Sequence, residues 1–456
     1  MAIDPNGSIV SRRALPHPRF SIAYAVCPVP TSLAGVEQGQ GIRGNRFQRF
    51  WRKLGPGLIT GASDDDPSGI ATYSQAGAAF GTGQLWTLVL TYPLMVSVQE
   101  MCARIGLVTG KGLMGVITDH YPRWLVRLVL WVAAPAIVLN IGANIAAMGA
   151  VGNLLVPGVP DYMFSAVFTV LLLYATILWS YRRIARVLKW LCLALFAYLF
   201  IPFLTGTDWS TALKRTFIPV LRDEPAYWMM LVAVLGTTIS PYLFFWQANM
   251  EVEERQRRGV LVVDRRMLGA MRIDVRTGMF MSNVVAWAIM LACGTVLFNA
   301  GLHDIATVKD AAEALRPLAG DMAHLLFALG VLGTGFLALP VLAGALSYMM
   351  AEAYDWPEGL DKRFNEAPAF YATLIVALLM GLFIDLAPIS PVQALIWTAV
   401  LYGFTAPVLI GIILFICNDR RVMGEHVNSR RQNALGVVTL LLMSAAAIGL
   451  VWNLLA

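Results

Sequence analysis

The sequence is poor in charge. Only 14% of its 456 residues are Asp, Glu, Lys or Arg, against roughly 25% in an ordinary soluble domain. Hydrophobic residues make up 58% and mean hydropathy is +0.65. These values exclude a soluble globular fold and define an all-α polytopic membrane protein. Cysteine pairs are missing too. Cys27, Cys102, Cys192, Cys293 and Cys417 stand alone with no C-x-x-C spacing, which excludes a disulfide framework, a zinc finger, a haem motif or an iron–sulfur cluster. Four of them lie in or beside apolar runs and read as small core residues. No cofactor is expected. No nucleophile–base or redox constellation supports an enzyme, and no large soluble domain is present to carry a sensor's signal. The net charge of +6 does not point to nucleic acid, because the arginines sit in short loops between apolar runs, where the positive-inside rule puts them.

Against that background, three consecutive aspartates stand out. Asp64, Asp65 and Asp66 interrupt an apolar run, Gly57-Leu-Ile-Thr-Gly-Ala-Ser-Asp-Asp-Asp-Pro-Ser-Gly-Ile70. A carboxylate at bilayer depth costs at least ~2.5–3.5 kcal/mol, and adjacent ones repel. Pro67 lacks an N–H, and Gly61 and Gly69 weaken the helix around it. The sequence therefore predicts a broken helix whose free carbonyls and carboxylates surround a cation. Placing the aspartates in an extramembrane loop leaves only short apolar flanks.

A membrane helix needs about 20 apolar residues. Eleven candidates follow: 57–80, 83–107, 124–153, 162–181, 184–205, 226–249, 274–299, 321–350, 368–387, 391–417 and 433–456, here spans 1 to 11. Residues 1–54 form a basic tail, expected to be cytoplasmic and mostly disordered, ahead of a transmembrane domain over 55–456. The weakly apolar stretch Phe20 to Val29 is not read as a signal peptide, since a multispan protein needs none. Basic residues fill the tail and the even-numbered loops, among them Lys111, Arg182, Arg183, Arg186, Arg255, Arg257, Arg258, Arg265, Arg266, Arg272, Arg420 and Arg421. The N-terminus is thus expected inside and, with eleven spans, the C-terminus outside.

Span 6 carries a second interruption, Leu235-Gly-Thr-Thr-Ile-Ser-Pro-Tyr-Leu-Phe-Phe245. One proline in a membrane helix is often a plain kink. Pro67 and Pro241 in corresponding spans point instead to a five-plus-five inverted repeat, with the site between two helices broken at mid-membrane.

These residues resemble the Nramp family of divalent-metal transporters, which have the LeuT-type fold. Gly55-Pro-Gly57 opens span 1 as in that family, and Asp66-Pro67-Ser68-Gly69 occupies the place of its Asp-Pro-Gly-Asn motif, followed by Gln75-Ala-Gly-Ala78. Ala103-Arg-Ile-Gly-Leu-Val-Thr-Gly-Lys111, Tyr181-Arg-Arg183 and Asn418-Asp-Arg-Arg-Val-Met-Gly-Glu425 also fit. Several positions depart from the family pattern. Gly69 replaces a metal-ligating Asn. Ser240, Pro241 and Tyr242 stand where the family has Met-Pro-His, and Gln247 where it has a second histidine. The acidic proton-path residues of span 3 align with Ala136 and Leu139, and a glutamine of span 10 with Thr405. This pattern looks like the divergent Nramp-related magnesium transporters. Sulfur selects soft metals, whereas carboxylate, hydroxyl, carbonyl and water suit Mg²⁺, Ca²⁺ and Mn²⁺. Mg²⁺ also keeps several waters, for which the small residues 68, 69 and 240 leave room.

The resemblance implies a metal site of Asp66, then Asp65 and Asp64, with Ser68, Gly69, Ser240 and the main chain of Thr237. Tyr242 and Gln247 read as cavity-lining or packing residues, and Asn140 with Asn144 as interhelical glue. Glu100 and Arg104 read as an i,i+4 pair, Asp385 as interfacial, His324 as no ligand, and Glu251 to Arg258 as a solvated helix. The expected function is alternating-access import of Mg²⁺, with Mn²⁺ the other candidate, not obligatorily coupled to protons. The alternatives are a proton-coupled Mn²⁺/Fe²⁺ symporter and an amino-acid symporter on the same fold, whose substrate carboxylate three aspartates would repel. The expected partners are the metal ion and the lipid of a bacterial-type inner (plasma) membrane, not nucleic acid, with the chain a monomer or weak oligomer.

Overall fold

A computed structural model describes residues 55–178, 193–259, 262–386 and 389–455. The expected tail lies outside them. Pro56–Asp64 and Pro67–Phe80 form span 1, Leu85–Thr109 span 2, Arg123–Leu155 span 3 and Asp161–Leu178 span 4. Pro225–Thr238 and Pro241–Arg257 form span 6, Arg265–Val296 span 7 and Ala323–Tyr354 span 8. Pro368–Asp385, Pro391–Asn418 and Arg430–Leu455 are spans 9 to 11. Much of span 5 falls among residues 179–192, outside the described set; its end forms the 3-10 turn Leu193–Leu199 and the short helix Ile201–Leu204. There is no strand among the described residues. Among the described residues eight helices are long and apolar enough to cross a membrane, or nine when Leu85–Thr109 and Leu113–His120 are taken as one span. The loops carry helices that the hydropathy pattern did not announce, including Trp209–Phe217, Val308–Glu313 and Leu113–His120, the last turned by 63° from span 2.

Both expected breaks are present. Asp65 (φ −82°, ψ 51°) ends the first half of span 1, and Asp66 (φ −70°, ψ 169°) caps the second. Ile239 (φ −110°, ψ 63°) and Ser240 (φ −69°, ψ 117°) do the same in span 6. Each second half starts with proline, which has no N–H to lose at that position and a φ already set for a helix. Spans 2, 3, 8 and 10 also contain prolines, Pro93, Pro135, Pro340 and Pro407, yet stay continuous. Proline alone does not break these helices; proline after an extended cap residue does.

Packing follows the repeat. Span 1 packs on span 7 and span 6 on span 2, and these two contacts exchange when spans 1 and 2 are superposed on 6 and 7. The first contact is close because the residues are small. A Cβ on Gly57 would run into the backbone at Val275, and one on Gly61 into Gly278. Asp274 of span 7 also caps span 1: its carboxylate accepts the N–H groups of Gly55 (2.8 Å), Gly57 (2.7 Å) and Leu58 (3.2 Å), donors that the helix itself leaves orphaned.

Candidate metal site

The three aspartates are buried in the break, each at most 5% exposed. They do not point the same way. Asp64 and Asp65 turn toward spans 6 and 7. Ser240 is hydrogen-bond donor to Asp64 Oδ1 at 3.2 Å and to the Thr237 carbonyl at 2.5 Å. Ser282 of span 7 donates to Asp64 Oδ2 (3.0 Å) and Asp65 Oδ1 (3.1 Å). A hydroxyl has one proton, so each serine serves one of its two acceptors at a time.

Asp66 faces span 3. Its Oδ1 accepts the Gly69 N–H at 2.8 Å, an N-cap bond that holds the second half-helix. Its Oδ2 accepts the amides of Asn140 (3.2 Å) and Asn144 (3.1 Å). Asn144 also donates to Asn140 Oδ1 at 3.0 Å, and Thr398 of span 10 donates to that same oxygen at 3.2 Å. Among the described residues no three His, Cys, Asp or Glu side chains converge to hold a metal ion. The break gathers carboxylates and hydroxyls from spans 1, 6 and 7.

The other predicted residues gather there with different tasks. A Cβ on Gly69 would lie 3.5 Å from Thr237 Oγ1 and 3.5 Å from the Asp64 carbonyl, so residues 69 and 237 face each other across the two breaks. The Thr237 carbonyl is at the break, as implied, and takes the Ser240 hydroxyl. Ser68 directs its hydroxyl away, to the Leu395 carbonyl at 3.2 Å. Tyr242 donates to the Ser63 carbonyl at 2.9 Å, closing the first half of span 1 against the second half of span 6.

Several sequence readings change. Asn140 and Asn144 are indeed interhelical hydrogen-bonders, but their partner is Asp66. Leu139, aligned with an acidic family residue, is 41% exposed, on the far side of span 3 from them. Glu100 pairs with Arg276 at 2.6 Å rather than with Arg104, which bonds Gln432 (2.9 Å) and Asn428. The helix through Glu251 to Arg257 is only partly solvated: Glu251 and Val252 are buried, and Glu251 accepts from Gln247 at 3.1 Å. Ser282 and Asp274 were not singled out from sequence. A serine within an apolar run carries little information until its neighbours are known.

Space is unequal on the two sides of the break. Toward the arginine-rich loops lies a cavity of about 620 Å³ lined by residues including Gly55, Glu251, Arg258 and Asp274. On the other side Pro67, Ile70, Phe327, Val392 and Leu395 pack around a gap of about 20 Å³. Two interrupted helices, their polar groups enclosed at mid-protein and their partners exchanged by a repeat, define a membrane carrier of the LeuT-type fold.

Comparison with known proteins agrees. A family model described as natural resistance-associated macrophage protein-like matches residues 57–453, and the chain belongs to the Nramp family. It is 24% identical over 403 residues to the divalent metal cation transporter MntH of Caldanaerobacter subterraneus subsp. tengcongensis, covering 87% of this chain and 91% of that one. Its fold matches the Eremococcus coleocola manganese transporter, solved with an aromatic bis-isothiourea substituted compound, at a TM-score of 0.72 and 17% identity, with 92% and 89% of the two chains covered. MhsT in complex with L-phenylalanine matches at a TM-score of 0.61 and 13% identity, over 88% and 97%.

Proposed function

We propose that this Nramp-family protein imports divalent metal cations by alternating access, that its main cargo is Mg²⁺ carried with part of its water shell, and that Mn²⁺ is a secondary cargo. The observation that carries the reading is the hydrogen-bond environment of the three aspartates. The side chains on them are the hydroxyls of Ser240 and Ser282 and the amides of Asn140 and Asn144. Ser240 stands where the resemblance has a thioether, so a soft ligand is replaced by a hard one. The carboxylates diverge instead of closing on one point, which suits an ion that retains water and takes one or two carboxylates directly. Asp66 is the central ligand in this reading, with Asp65 and Asp64 supplying charge and Ser240, Gly69 and the Thr237 carbonyl bounding the space.

The arginine-rich loops face the cytoplasm, following the positive-inside rule, so the larger cavity is the inner one. Transport is not obligatorily proton-coupled: where the resemblance puts the titrating groups of a coupled carrier, this chain has Ala136, Leu139, Tyr242 and Gln247, none of which titrates near neutral pH.

The test is uptake in proteoliposomes across a panel of Mg²⁺, Mn²⁺, Fe²⁺ and Cd²⁺, with and without a pH gradient. Mg²⁺ uptake that is saturable and indifferent to the gradient is expected. Exclusion of Mg²⁺ with gradient-driven Fe²⁺ or Mn²⁺ uptake overturns the reading in favour of an ordinary symporter.

A further inference from the structure

The motif Gln75-Ala-Gly-Ala78 lies further along the second half of span 1 than Asp66. It meets the segment that joins span 7 to span 8. The Gln75 side chain donates from Nε2 to the His303 carbonyl at 3.1 Å and accepts the Ile305 N–H on Oε1 at 2.8 Å. One side-chain amide thus takes both an acceptor and a donor of the loop's main chain, as a peptide group of a neighbouring strand would. His303 returns a bond, from Nδ1 to the Ala78 carbonyl at 3.2 Å, with its ring edge-on to Phe298. Gly77, between the two contacts, packs on span 7: a Cβ there would run into the Met290 carbonyl.

The segment held in this way covers the break. Ile305, Val308 and Ala311 are buried. With Pro67, Ala71 and Leu395 they line the gap of about 20 Å³ on this side. That is room for about one water, too little for a cation that keeps several. Pro67 follows Asp66 directly, and Leu395 supplies the carbonyl that takes the Ser68 hydroxyl, so the plug stands on the site itself. The segment also has order of its own. Thr307 and Asp310 form a capping box for the helix Val308–Glu313. Gly301 (φ 78°) and Gly320 (φ 53°) bracket it in the left-handed region, with nothing within 4 Å of an added Cβ at either. A preformed piece between two glycine turns can move as one body.

We propose that residues 302–319 are a lid that closes the site on the side away from the arginine-rich loops, and that Gln75 is its latch. Opening the lid breaks two hydrogen bonds to main chain, which water replaces, and uncovers a few small apolar side chains. The net cost of such bonds is modest, as a step repeated in every cycle requires. Because the latch grips main chain, its hold depends on the length of the Gln75 side chain and on both ends of its amide. The lid rests on the carrier reading and on its orientation in the membrane, not on which ion is carried.

The experiment places a cysteine under the lid with Ala71→Cys and measures its reaction with a membrane-impermeant maleimide. The full chain is held in right-side-out bacterial membrane vesicles, and the chain without the added cysteine sets the blank. Adding Gln75→Ala should speed the reaction at least ~5-fold, since two hydrogen bonds worth roughly 2- to 10-fold each are lost. Gln75→Asn, one methylene short of both partners, should speed it as well. Val156→Cys, at the exposed outer end of span 3, should react equally in all three backgrounds. Equal rates at Ala71→Cys with and without the latch, or the same acceleration at Val156→Cys, overturn the lid. Should Gln75→Ala not yield inserted protein, Gln75→Asn decides by the same comparison. Acceleration found only in inside-out vesicles keeps the lid and overturns the cytoplasmic placement of the arginine-rich loops. Uptake is not part of the readout, so the metal panel can fail while the lid stands, or the reverse.

Discussion

Asn144 of span 3 and Asp66 of span 1 lie 3.1 Å apart, amide Nδ2 to carboxylate Oδ2. With the Gly69 N–H on its other oxygen and Asn140 beside Asn144, Asp66 is the most firmly oriented of the three aspartates. A neutral amide favours the ionised carboxylate and cannot take its proton. The contact therefore orients the carboxylate at the cap of a half-helix without adding a group that titrates.

Asp66→Ala should abolish divalent-cation uptake while leaving the chain folded and inserted. The substitution removes an N-cap, worth about 0.5–2 kcal/mol, but also removes one of three neighbouring buried charges, which offsets that loss. Uptake is measured in proteoliposomes alongside gel filtration. Wild-type uptake by a monodisperse Asp66→Ala protein would sink the assignment.

Ser282→Ala should raise the apparent KM for Mg²⁺ roughly tenfold, the scale of a lost hydrogen bond to a charged group. Ser282 holds Asp64 and Asp65 within reach of one hydroxyl, so its loss lets the two carboxylates drift apart. Ser282→Thr, which keeps the hydroxyl, should recover most of the affinity. Equal affinities for the Ala and Thr variants would show that the hydroxyl has no part in binding.

Ser240→Met should shift preference toward soft metals. Its hydroxyl meets Asp64 at 3.2 Å, so a thioether at that position lies beside the carboxylates and favours Cd²⁺ or Fe²⁺ over Mg²⁺. Gly69 opposite contributes no amide, which keeps the gain small. The readout is inhibition of Mg²⁺ uptake by Cd²⁺. If inhibition is unchanged while Ser282→Ala alters it, residue 240 does not face the ion.

Much of this was legible in the sequence, for physical reasons. Hydropathy alone located the spans other than span 5, most of which lies outside the described residues, because lipid demands long apolar helices. Asp64 to Asp66 marked the break because buried carboxylates need a cause. The prolines were weaker evidence than they looked: Pro93, Pro135, Pro340 and Pro407 have the same chemistry as Pro67 and leave their helices whole. Contacts between distant elements were not legible. Asp274 capping span 1, Ser282 within reach of two aspartates, and Arg276 taking Glu100 from Arg104 are all set by which helices meet, and local spacing says nothing of that. The Asn140–Asn144 pair was visible as a shared face, but the face they address became known only with the fold.

Gly278→Ala should destabilise the protein by about 1–3 kcal/mol, the cost of overpacking. The added methyl would strike the Gly57 carbonyl and approach Leu58, forcing span 7 off the first half of span 1. Thermal unfolding in detergent should show a lower Tm, whereas Gly269→Ala, with nothing within 4 Å of the new carbon, should not. Equal Tm values for the two would mean that spans 1 and 7 do not pack this closely.

The last prediction is that metal uptake proceeds without obligatory proton movement. Coupling requires groups that change protonation during the cycle. Asp66 is held by Asn140 and Asn144, Tyr242 donates to the Ser63 carbonyl, and Gln247 bonds Glu251. Amides and a buried phenol do not exchange protons near neutral pH. The aspartates themselves remain, with the buried carboxyl of Glu251. An arriving metal displaces any proton the aspartates hold, which makes affinity fall as pH falls without carrying protons across. The two cases separate in proteoliposomes loaded with a pH-sensitive dye. Displacement at the site changes the KM for Mg²⁺ with external pH and leaves the lumen pH constant during uptake. Symport acidifies the lumen in step with metal influx and accelerates under an imposed gradient. Asn144→Asp sharpens the comparison, because it puts a titrating group where the native chain has an amide, and it should make uptake more sensitive to pH than in the native protein. Lumenal acidification proportional to Mg²⁺ influx in the native protein, absent in Asp66→Ala, refutes the uncoupled mechanism.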